Sequence, residues 1–145
     1  EERGPEPGSE TITGDRQHLW TPVAVVRAVR DCLVMEQGDG LRLALGTPRA
    51  WLASGEPVGI ADAPTHFGPL SYTLAYDATV ARVSGTISFP DAPGLAWAEL
   101  SVRLPQGLRA RSVNADAGAT VMDDGTRLRW LAPRGRVDLE ITVGP

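Results

Sequence analysis

Two histidines, one cysteine, one adjacent pair of aspartates and four tryptophans are the side chains of this sequence best suited to chemistry. A metal centre needs several ligands at matching spacing, and His18 and His66 stand far apart with no HExxH-like pattern between them. Nucleophilic catalysis by serine needs a strained turn and a base. Ser54, Ser71, Ser84, Ser88, Ser101 and Ser112 all lack a Gly-x-Ser-x-Gly setting. Cys32 falls on an apolar helical stripe, where a small hydrophobe is expected rather than an activated thiol. Asp123 and Asp124 are neighbours, so in an extended chain they point to opposite sides, and Asp124 is wanted by a turn. GTPR and GDG have neither the length nor the Lys of a phosphate loop. The expectation is a chain with no catalytic residue, metal or cofactor of its own.

The aromatic residues are more informative. Trp130 alternates with core positions and should be buried. Trp51 follows Pro48 and should pack an irregular loop onto a sheet. If the strand through Leu100, Val102 and Leu104 keeps its phase, Trp97 lies on the outward side beside Glu99. An outward indole can cover a domain interface or stack against a sugar ring. His66 sits in a loop, APTHFGP, where it bonds backbone groups or touches a sugar or a neighbouring domain. The candidate ligand-binding residues are therefore Trp97, Trp51 and His66. Arg103, Arg109, Arg111, Arg127 and Arg129 fall on outward strand positions, where Glu99, Asp138 and Glu140 can pair with them. A groove for anionic glycans is the alternative use of that face.

Positioning these residues falls to one helix and a series of strands. Thr21 can cap a helix with Pro22 in its first turn, and Val25, Val26, Val29, Cys32 and Leu33 recur at helical spacing. The spacing predicts a helix over residues 17–37, ended by Gly38-Asp39-Gly40. From Leu41 the period becomes two: Leu70, Tyr72, Leu74 and Tyr76 share one face, as do Val137, Leu139, Ile141 and Val143. Short alternating segments bounded by turns predict an antiparallel β-sandwich of seven or eight strands over residues 38–145, mostly β and preceded by one α-helix. Asp124-Gly125 marks a two-residue hairpin turn. Residues 46–69 read as irregular, with a helical turn near Pro48 to Leu52. Residues 1–16, rich in Pro, Gly and Glu, read as a linker or extended arm.

Composition sets outer bounds. The chain has 145 residues, 42% hydrophobic and 22% charged, with 16 Gly and 12 Pro, which suits one turn-rich domain. All 14 basic residues are Arg, and the net charge of −4 opposes nucleic-acid binding. A lone cysteine excludes an internal disulfide, and no stretch is apolar enough to predict membrane insertion. Cytoplasmic and secreted locations both stay open.

The runs LWTPVAVVRAVRDCLVMEQGD and LRLALGTPRAWLASGEPVGIADAPTHFGPLSYTL resemble a junction in large bacterial proteins of the six-hairpin glycosidase type, similar in architecture to α-L-rhamnosidases. The resemblance covers about 125 residues and rests on phrases such as GTPR.WL and APTHFGP.SY, with no catalytic motif. It implies that Trp20 to Glu36 is the last helix of a helical toroid and Leu41 to Val143 a C-terminal accessory sandwich. The implied partner is an upstream helical domain of the same protein, met through Val25, Val26, Val29, Leu33, His66 and Phe67, with carbohydrate as a further possible ligand.

Overall fold

The computed structural model describes residues 19–145, so the expected arm over residues 1–16, His18 and the first residues of the expected helix lie outside the described part. The chain divides into two units, residues 1–30 and 31–145. The first unit contributes most of helix α1, Trp20–Leu33, whose first turn accommodates Pro22 and whose Val23 N–H bonds Leu19 O at 2.9 Å.

The helix is shorter than its apolar spacing predicts. It stops at Leu33, and Val34–Gln37 forms strand β1 in place of another helical turn. The physical reason lies in the carbonyls of the last helical residues. Cys32 O accepts from Gly46 N–H at 3.1 Å and Leu33 O from Ala44 N–H at 2.8 Å, so the returning chain supplies the partners a further turn would have supplied. Gly38 and Asp39 therefore close a two-residue β-turn into β2, Gly40–Leu43, with Gly38 at φ 59°.

Beyond β2 come α2 (Arg49–Ala53), β3 (Val58–Thr65), β4 (Gly68–Asp77), β5 (Arg82–Phe89), β6 (Trp97–Ser101), β7 (Arg109–Ala115), β8 (Thr120–Met122), β9 (Arg127–Leu131) and β10 (Gly135–Gly144). The fold is the expected mostly-β sandwich, with ten strands among the described residues rather than seven or eight. Sheet A runs β1-β2-β6-β9-β8 and sheet B runs β3-β4-β5-β10-β7. All pairings are antiparallel except β2 with β6, which run parallel. The stretch read as irregular holds β3, which pairs with β4 through the turn at His66-Phe67 and bulges between Ile60 and Ala63. Prolines obscured it, since Pro64 and Pro69 face each other in that hairpin where the ladder tolerates a missing donor.

The alternating residues meet in one core. Leu41, Leu43, Leu100, Leu128 and Trp130 from sheet A pack with Leu70, Tyr72, Ile87, Val137 and Ile141 from sheet B, all of them buried. Phe89 and Trp130 join the sheets, their ring centroids 5.8 Å apart. Trp130 also donates its indole N–H to Asp116 O at 3.0 Å, so its one polar atom is satisfied inside the core. Tyr72 does the same through its hydroxyl, which donates to Leu33 O at 3.0 Å. Burial pushes the phenol well above its ordinary pKa, opposed by a backbone hydrogen bond at Ala44.

Candidate functional site

Sheet A turns Trp97, Glu99 and Ser101 of β6 away from the core, together with Gly40 and Arg42 of β2 and Arg127 and Arg129 of β9. In the register, Gly40 stands beside Trp97, and Arg42, Glu99 and Arg129 stand in one row. The absence of a side chain at Gly40 is what admits the indole: a Cβ there would collide with the Trp97 ring atoms Cε2, Cδ2 and Cζ2. The ring is anchored by its N–H, which donates to Asp39 Oδ1 at 3.0 Å. Guanidinium carbons of Arg129 and Arg42 lie 5.0 and 6.0 Å from its centroid, the range of cation–π attraction. Trp97 does lie outward, as its phase predicts, but it is half-buried among guanidiniums and backbone and does not stand as an open stacking surface.

Glu99 is the least expected member of this face. Alternation places it outward, yet it is only 5% exposed. Its Oε1 lies 3.6 Å from Arg127 Nη1 and 3.8 Å from Arg42 Nη1, ion pairs too long to be hydrogen bonds, so Oε1 accepts none. Arg127 Nε sits 2.6 Å from Asp123 Oδ2 without the alignment of a hydrogen bond, and Arg129 Nε is likewise buried and unbonded. Asp123 therefore serves Arg127 and does not face Asp124 as a second acid. Both aspartates adopt positive φ, 50° and 56°, in the turn between β8 and β9.

The other predicted residues lie elsewhere. Trp51 is on α2, 38% exposed, and lines an open depression of about 320 Å³ with Leu33, Ser54, Glu56, Pro57, Val58 and Gly59. The outward half of Trp51 departs from a purely packing role, though Leu52 beside it is buried. His66 is exposed at the tip of the β3–β4 hairpin with its ring edge-on to Phe67, centroids 5.6 Å apart. Phe67 leans on the core, and Thr65 Oγ1 holds the turn by accepting from Phe67 N–H at 3.2 Å and donating to Gly68 O at 2.6 Å. On α1, Val25, Val26 and Val29 are exposed, whereas Leu33 packs against the core. Cys32 is a half-buried free thiol whose Sγ faces Gly46.

Of the five arginines expected to pair on outward strand positions, Arg127 alone does so among the described residues, with Glu99 and Asp123, and Arg103 lies past the end of β6. Glu140 meets Arg82 at 2.8 Å and Asp138 meets Arg136 at 3.0 Å, both on sheet B. Among the described residues no three His, Cys, Asp or Glu side chains gather as metal ligands, and no helix is long and apolar enough to cross a membrane. Comparison with protein-family models, with curated proteins and with solved structures found no match.

Proposed function

We propose that the chain is a non-catalytic accessory β-sandwich of a bacterial glycoside-hydrolase-like protein, docking through α1 onto a helical domain that precedes it. The observation that carries this reading is the apolar exposure of α1. Trp20, Val25, Val26 and Val29 are 80%, 57%, 68% and 45% exposed. Apolar area left in water forgoes about 25 cal/mol per Å², so a helix that shows this much is suited to a covering surface. The phrases that resemble the six-hairpin junction begin at this same helix.

The test is to compare the chain alone with the chain joined to the helical domain that this proposal places ahead of it. Joining should raise the melting temperature of the sandwich and slow amide exchange along α1, and Val26→Ser should erase part of both gains. Equal melting and equal exchange in the two contexts would overturn the docking role.

A second reading, carbohydrate binding, is favoured by the depression beside Trp51. A partly exposed indole with the Glu56 carboxylate and Ser54 on the rim combines an apolar face with acceptors for sugar hydroxyls. Titration with neutral oligosaccharides should give saturable binding that Trp51→Ala abolishes. Binding that ignores this substitution, or none at all, removes the reading.

A further inference from the structure

Among the described residues, the buried side-chain atoms without a hydrogen-bond partner are Glu99 Oε1, Arg127 Nε and Arg129 Nε. All three stand on the outer face of sheet A, with Glu99 and Arg129 directly opposed in the β6–β9 ladder. An unmet buried polar atom is costly, and more so when charged, so their gathering in one place calls for a physical cause. The three make complementary demands. Arg129 Nε lacks an acceptor, Arg127 Nε has only the misaligned carboxylate of Asp123, and Glu99 Oε1 lacks a hydrogen-bond donor.

Charge narrows what could meet them. Arg42 and Arg127 already have Glu99 within 4 Å, and Arg127 also has Asp123. Among the described residues Arg129 has no carboxylate at ion-pair distance; its guanidinium carbon lies over the ring of Trp97, 5.0 Å from the centroid. Arg129 is therefore the one cation of this face without a carboxylate of its own, beside an acceptor that needs a hydroxyl or amide hydrogen. A phosphate dianion would bring excess charge against Glu99, Asp39 and Asp123. A neutral sugar would leave Arg129 unpaired, and a simple carboxylate would leave Glu99 without a donor.

We infer that the outer face of sheet A, between β6 and β9, is a binding site for a sugar that carries a carboxylate, such as a uronic acid. Its carboxylate meets the guanidinium of Arg129 and a ring hydroxyl donates to Glu99. Arg42 and Arg127, with side chains 30% and 36% exposed, roof the 6%-exposed Glu99 side chain and swing aside on binding. Trp97 is a positioning residue, with the guanidinium of Arg129 over its ring. This site goes beyond the accessory role proposed above and does not depend on it.

The experiment is calorimetric titration of the 145-residue chain with trigalacturonic acid, with its methyl ester, with acetate and with a diglutamate peptide. Trigalacturonate should bind saturably, the ester at least about tenfold more weakly because the charge-assisted contact is gone. Arg129→Gln should weaken the acid form by a similar factor while keeping the melting temperature of the parent, and Trp51→Ala should leave it unchanged. Arg129→Lys provides a second variant that retains charge but not the planar fork, and should also bind more weakly. The inference falls if trigalacturonate does not bind or if the ester binds equally. It falls too if acetate or the peptide binds as tightly, or if Trp51→Ala rather than Arg129→Gln removes the binding.

Discussion

Gly40 and Trp97 show how a missing side chain can organise a surface. The indole occupies the room that a β-carbon at position 40 would take, and Asp39 fixes its N–H from the turn just before. Gly40→Ala should displace the ring, break that hydrogen bond and cost about 1–3 kcal/mol by overpacking. Near-ultraviolet circular dichroism and chemical unfolding would read both effects together, and an unchanged spectrum would contradict the packing described. Trp130 behaves as a core residue instead. Trp130→Ala should lose about 3–5 kcal/mol, enough to threaten folding of a domain of this size, by urea unfolding. Both tryptophans could be assigned a side of their strand from sequence because alternation is strict along β6 and β9. The burial of Glu99 could not. Alternation tells which side a side chain leaves from, not that two arginines from neighbouring strands will lie over it.

Among elements, the hairpin joining β8 and β9 was visible as Asp124-Gly125, but its turn is longer than the two residues that dipeptide usually signals. Asp123, Asp124 and Gly125 all adopt positive φ, 50°, 56° and 82°. Gly125 is further confined, since a β-carbon there would stand 2.7 Å from Ala110 Cβ and 2.9 Å from Val113 Cγ2. Gly125→Ala should therefore destabilise by about 1–3 kcal/mol, whereas Asp124→Gly should be close to neutral because its backbone already sits where glycine is comfortable. Comparing the two denaturation midpoints checks this, and a larger loss for Asp124→Gly would reverse it. β1 and β3 escaped the sequence for different reasons. Val34 and Met35 follow the stripe of α1 with no Gly or Pro before Gly38, so only the backbone partners supplied by Ala44 and Gly46 decide that the helix ends. Pro57, Pro64 and the bulge near Asp62 break the alternation of β3.

For the whole molecule, the core among the described residues begins at Leu33. A chain starting at Asp31 should still unfold cooperatively with the near-ultraviolet signature of the packed tryptophans, and loss of that transition would show that residues 1–30 are needed to fold it. Acid response belongs to this scale too. Hydrogen bonds from Arg136 and then Thr86 hold the Asp138 carboxyl below its ordinary value, and Thr79, through side chain and then backbone, does the same for Asp77. A carboxyl lowered on folding stabilises above its unfolded pKa of about 3.9 and stops doing so as pH falls through the folded value. The double variant Asp77→Asn/Asp138→Asn should melt below the parent at pH ~7, and the gap should close by pH ~2. A gap that stays constant would mean that these two groups do not carry the effect.

The place of β10 between β5 and β7 also sets an order of events in time. As a nascent chain leaves the ribosome, β3, β4 and β5 can zip together at once, each beside the strand made just before it. β7 has no partner in its sheet until the ten residues of β10 emerge and slide in between. Until that moment β5 presents an open row of amides and carbonyls, the kind of edge that recruits foreign strands. Docking of Gly135–Gly144 thus closes that edge and gives β7 its place in the sheet.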